Sequence, residues 1–141
     1  MTERLDIITQ IENDLKDKIK VSRGYKTEPA EIKRGFNKWT DFIVKPGIGF
    51  SMAGDEPDIN SESGFIIRWF KVFFYGYAET DGAGNTDAIY NLLQDMEDFL
   101  MSSDFTYTGN VEILDIDIRE GGASDQINFF LMETRIAYCV E

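Results

Sequence analysis

Few residues in this 141-residue chain have the types and spacing that chemistry needs. It holds no histidine, which excludes imidazole bases, histidine-dependent triads and histidine–zinc sites. Its one cysteine, Cys139, rules out an internal disulfide and any four-cysteine zinc site. With no imidazole to activate it, Cys139 reads as a buried or edge-strand thiol. Asp115 and Asp117 lie two apart, so on a strand they share one face, and paired carboxylates can bind Mg²⁺ or move protons. Simple alternation on a wet strand face produces the same pair. Asp55, Glu56 and Asp58 suggest a calcium loop, but their spacing misses the helix–loop–helix pattern, and a mobile acidic loop is the plainer reading. Gly82 and Gly84 supply the first glycines of a dinucleotide fingerprint. The third glycine position holds Asp87, which would oppose a pyrophosphate, and the alternating parallel βαβ pattern is missing. A glycine-rich turn that caps a helix fits better. No catalytic residue, metal ligand or cofactor-binding residue is assigned, and the chain is expected not to be an enzyme and to need no cofactor.

The charge is strong and uneven. The net charge is −12, yet residues 1–50 carry ten Lys/Arg against eight Asp/Glu, and residues 51–141 carry four against eighteen. The second part is a poor direct partner for nucleic-acid phosphates. The aromatic run in residues 65–78 would need basic neighbours to serve as a base-stacking platform, and it has only Arg68 and Lys71. Apolar residues make up 43% of the chain and charged residues 28%, an ordinary globular balance for one domain, here residues 1–141. The N-terminus lacks an apolar signal core, and the most apolar window is charged and too short to span a bilayer as a helix. An intracellular origin without membrane attachment is expected.

The elements that would carry these residues follow from periodicity. Leu5, Ile8, Ile11, Leu15 and Ile19 recur at helical spacing and predict a helix over residues 3–20. Residues 22–40 give no clear signal. Residues 39–50 predict an extended strand broken at Pro46-Gly47, and residues 51–64 a long acidic loop with Gly54, Pro57 and Gly64. Residues 65–78 predict a strand with two apolar faces, the second left for something other than the helices to cover. A turn at 81–85 precedes a helix over 86–101, capped by Asn85 or Thr86. Ile89, Leu92, Leu93, Met96, Phe99 and Leu100 form its stripe, and Asp87, Asp95, Glu97 and Asp98 its wet side. Residues 110–119 alternate, with Leu114, Ile116 and Ile118 on one face. A glycine-containing hairpin connection, 120–126, leads to a last strand, 127–140. The expected class is α+β, a mostly antiparallel β-sheet with two α-helices packed on one face.

This order, with its amphipathic first helix, long acidic connection, second helix and closing strands at Ile113–Ile116 and Phe129–Glu133, resembles the tail terminator (tail completion) proteins of tailed bacteriophages and related contractile particles. The resemblance implies a non-enzymatic virion protein of the tail or neck, assembled in the host bacterial cytoplasm. It implies a homo-oligomeric ring, usually a hexamer, that caps the tail tube, ends its polymerisation and joins the tail to the head. The implied partners are the tail tube protein, a neck or head-completion protein and the tail sheath, with DNA passing through unbound. On this view Asp55, Glu56, Asp58 and Glu62 form a loop that faces the tube or lumen, where a repeated acidic segment repels the phosphates over a Debye length of ~8 Å. Trp69, Phe73, Tyr75 and Tyr77 form a subunit-interface strand. Other readings are a neck, head-closure or tail-tube subunit, or a ligand-binding domain or metal-dependent enzyme that uses Asp115 and Asp117.

Overall fold

The apolar rows of the sequence predict one sheet with helices on one side, and the computed structural model has that architecture. It describes residues 4–35, 46–57, 66–80, 86–121 and 127–140. The elements run α1 (Arg4–Lys18), β1 (Glu31–Arg34), β2 (Gly47–Pro57), β3 (Ile66–Glu79), α2 (Asp87–Leu100), β4 (Val111–Arg119) and β5 (Ile127–Val140). The strands form one sheet in the order β1-β2-β3-β5-β4. Only the β1–β2 pair is parallel; the other three ladders are antiparallel. The fold is α+β, as the periodicities predict.

Helix α1 buries Ile7, Ile11 and Leu15, and Ile19 continues the row past its end. Leu5, a predicted member of the stripe, is 61% exposed. At about 100° per residue it lies about 120° around the helix from Ile11, outside the buried arc. Asp14 lies only about 60° from Ile11 by the same count and is buried. A short 3₁₀ turn, Val21–Arg23, ends at Gly24, whose φ of 95° needs the left-handed region that glycine enters freely. Helix α2 packs its predicted stripe onto β3 and β5, while α1 packs against β1.

In β3 and β5 the two-residue period divides the side chains cleanly. Phe70, Val72, Phe74 and Ala78 of β3, and Phe130, Met132, Ile136 and Tyr138 of β5, face the helices and are buried. Gly76, in the same row, lets α2 approach: a Cβ there would meet Leu92 at 2.8 Å and collide with the Phe130 ring. In β4 the predicted Leu114–Ile116–Ile118 row is corrected. A bulge between Ile113 and Asp115 shifts the phase, so Val111 and Ile113 join Ile116 and Ile118 on the core, and Leu114 turns out, 44% exposed.

Strand β2 differs most from expectation. It runs through Pro57, so residues 51–57 are strand and not loop. Weak local propensity is overridden by pairing with the apolar β3, from Gly47 opposite Tyr77 to Pro57 opposite Arg68, with a bulge between Met52 and Gly54. The predicted break at Pro46-Gly47 is where the strand starts. Strand β1, with only four residues and one apolar position, gave no periodic signal and is held by tertiary pairing. The expectations that fall on residues 39–45, 58–65, 81–85 and 122–126 lie outside the described residues.

Candidate interaction surface

The side of the sheet away from the helices gathers the predicted interface residues. Trp69, Phe73, Tyr75 and Tyr77 occupy alternate positions of β3, beside Ala137, Glu133, Leu131 and Phe129 of β5. Most are half-buried, and among the described residues no helix lies over them. Tyr77 sits between two rings, with centroids 6.0 Å from Tyr75 and 6.0 Å from Phe129. The guanidinium of Arg135 stacks on Trp69, 4.0 Å from the ring centroid.

Tyr75 differs from the other three. It is 2% exposed, and its hydroxyl donates to the carbonyl of Gly35. Its ring lies over Gly49, its cross-strand partner, and occupies the space a Cβ there would need. Tyr75 therefore builds this end of the sheet more than it offers contact area. Gly49→Ala is expected to cost about 1–3 kcal/mol through overpacking. Urea unfolding checks this, and a Tyr75→Ala background should relieve most of the clash.

Charges are paired along the middle of this face. Lys71 lies opposite Arg135, an unfavourable pairing by itself. Glu133 compensates Lys71 at 3.4 Å, and Glu112 compensates Arg135 at 2.7 Å. The predicted carboxylate pair, Asp115 and Asp117, is exposed on the edge strand β4, with Asp117 bonded to Arg119 at 3.3 Å. Among the described residues no three His, Cys, Asp or Glu side chains converge as a metal site.

The predicted acidic loop is corrected in part. Asp55 and Glu56 belong to β2, and Asp58 and Glu62 lie outside the described residues. Glu56 is exposed and sits opposite Trp69. Asp55 is only 14% exposed and is fully engaged. It accepts from Arg4 of α1, from Arg68 at 2.8 Å and from the Tyr138 hydroxyl at 2.5 Å, tying α1, β2, β3 and β5 together. Burial alone would raise its carboxyl, but hydrogen bonds from Tyr138, Arg4 and Arg68 outweigh burial and hold it below the usual range. Burial, reinforced by Asp55, raises the Tyr138 phenol.

A depressed folded-state carboxyl stabilises above its unfolded value, near pH ~4, and that stability is lost as pH falls through the folded value. Asp104, lowered by hydrogen bonds from Tyr25 and Arg23, acts in the same direction. Asp55→Asn is expected to cost about 2 kcal/mol at neutral pH. It should also flatten the acid limb of a stability–pH curve below pH ~4, as followed by urea midpoints. An unchanged acid limb would show that the Asp55 charge does no work in the fold.

Periodicity also missed three carboxylates that fasten irregular segments. Asp95, assigned to the wet side of α2, is 2% exposed. It accepts from the backbone N–H of Lys26 at 2.9 Å, from that of Thr27 at 2.6 Å, and from the Thr27 hydroxyl. Asp14 accepts from the Thr106 N–H at 2.9 Å, and Asp104 accepts from Arg23 and Tyr25 at 2.6 and 2.7 Å. Thr86, a predicted helix cap, makes no side-chain cap bond; its hydroxyl goes instead to Glu120 at 3.0 Å. Asn85, the other predicted cap, lies outside the described residues.

Compared with known proteins, the chain matches no family model and no curated protein. Among the described residues no helix is long and apolar enough to cross a membrane.

Proposed function

We propose that this chain is a structural subunit of a phage tail, a ring-forming terminator that caps the tail tube, ends its growth and joins it to the neck. On this reading it acts in the virion, without catalysis. It contacts copies of itself, the tube protein and a head-completion protein, and DNA passes without being gripped. The observation that carries the reading is the half-buried aromatic side of β3 and β5, Trp69, Phe73, Tyr77 and Phe129, opposite the helix layer. Apolar surface of this kind gains by packing against another protein surface. A closed ring is an arrangement in which each copy does so while growth still stops. The acidic bias of residues 51–141 supports the DNA part of the reading, since a wall of like charge lets phosphates slide. Asp55, neutralised by two arginines, contributes little to such a wall, whereas Glu56 is exposed and suited to it.

The test is particle mass by light scattering with negative-stain imaging, for the wild type and for Trp69→Glu with Phe73→Glu. Rings are expected for the wild type. The variant should keep its circular dichroism spectrum and lose the rings. A wild-type protein that stays monomeric at all concentrations, even with purified tail tubes added, would remove the reading. Open-ended polymers in place of closed rings would point to a tube subunit.

A further inference from the structure

Strand β4 ends the sheet. Its nine residues pair with β5 on one side, and among the described residues its other side makes no hydrogen bond. Val111, Ile113, Ile116 and Ile118 pack on the core, so the strand is held in place as a preformed template. Beyond the bulge, Asp115–Arg119 form five regular residues, about 17 Å of open backbone at ~3.4 Å per residue. The unsatisfied N–H and C=O groups along it are a template for one more strand.

The side chains select which strand. Asp115 and Asp117 are exposed on the same face. Asp115 stands directly opposite Glu133, a like-charge pair, and among the described residues Asp115 has no cation of its own. An incoming strand with a cation beside Asp115 and another beside Asp117 relieves that repulsion. Alternating with those cations, residues beside Ile116 and Ile118 continue the apolar row. An acidic strand is repelled, so the same charges that guard the edge set its specificity. Among the described residues the chain's own strands do not supply the complement. Lys33 and Arg34 are adjacent, Arg68 and Lys71 are three apart, and β2, β4 and β5 hold at most one cation each.

We infer that the β4 edge binds an extended segment of a different protein, with Lys or Arg at alternate positions and aliphatic residues between them, added as a sixth strand. This goes beyond the ring reading and does not depend on it.

The test uses the full chain and four labelled peptides: acetyl-TKVKVKT-amide, the same peptide with Glu for Lys, one of the same composition with its lysines contiguous, and one N-methylated at alternate backbone nitrogens. Fluorescence anisotropy gives affinity, and amide hydrogen exchange locates the site. The alternating lysine peptide is expected to slow exchange within residues 111–119. The other three should bind at least tenfold more weakly. D115K with D117K, both exposed, should weaken the lysine peptide at least tenfold while the circular dichroism spectrum is kept. Equal binding of the contiguous-lysine or N-methylated peptide would overturn the inference, since charge alone would then suffice. So would protection elsewhere in the chain. Concentration-dependent protection of residues 111–119 without peptide would also overturn it, by showing that the occupant is a second copy.

Discussion

Phe74→Ala should destabilise the protein by about 3–5 kcal/mol, the range for removing a fully buried aromatic ring. Phe74 has no exposed surface. It sits mid-sheet between Phe50 of β2 and Met132 of β5, with its ring centroid 6.3 Å from that of Phe50. Neighbours on both sides are fixed by ladders, so the site can collapse little around the void, which favours the upper part of the range. Melting should drop by on the order of 10–20 °C. Phe73→Ala, one residue earlier, is the informative comparison. Its side chain points to the opposite face and is half-buried, so the isolated subunit should lose less than half as much. If the two variants cost the same, the assignment of the faces is wrong. If Phe73→Ala is mild for folding but severe for ring formation, the interface reading gains.

Asp95→Ala should cost about 2–4 kcal/mol. The carboxylate receives two backbone N–H groups and a hydroxyl from Lys26 and Thr27, and truncation leaves those donors without an acceptor. Asp95→Asn keeps the shape and one good acceptor, and should cost roughly half as much. Urea unfolding measures the cost through its midpoint at constant slope. Hydrogen exchange at the Lys26 and Thr27 amides should speed up in the alanine variant by more than the global destabilisation explains. A change under 0.5 kcal/mol, within the usual span for an exposed surface substitution, would mean that these bonds are replaced by water without loss.

These two residues mark the boundary between what the sequence discloses and what it hides. Phe74 lies in an apolar run that reads as a strand from the sequence alone, although both of its faces are apolar and only the packing of the helices shows that Phe74 is on the buried one. The helices α1 and α2 and the strands β3, β4 and β5 were legible as elements for the same reason, because each is rich in apolar residues, although the bulge in β4 moved Leu114 off the core face. Asp95 reads as solvent-facing because its burial comes from residues almost 70 positions away, Lys26 and Thr27, which no local window includes. The same holds for residues 51–57, where Gly54, Asp55 and Pro57 look like a loop until β3 pairs with them. Asp55 was singled out for its charge, but the arginines and tyrosine that occupy it come from α1, β3 and β5. The aromatic face was legible in composition. That Tyr75 belongs to the sheet's own packing was not, because it depends on Gly49 and Gly35 lying beneath the ring and at the hydroxyl.

The strand order has a kinetic consequence. Strand β5 is synthesised after the four other described strands, yet it lies between β3 and β4. Neither of those two can take its final place until β5 arrives, and the β3–β5 pairs join residues such as Tyr75 and Leu131 across a long stretch of chain. Such distant pairing slows folding, and a nascent chain that has reached only α2 carries β3 with one unguarded, aromatic-rich edge. The β3–β5–β4 half of the sheet therefore closes in one late step, when β5 docks between strands made before it.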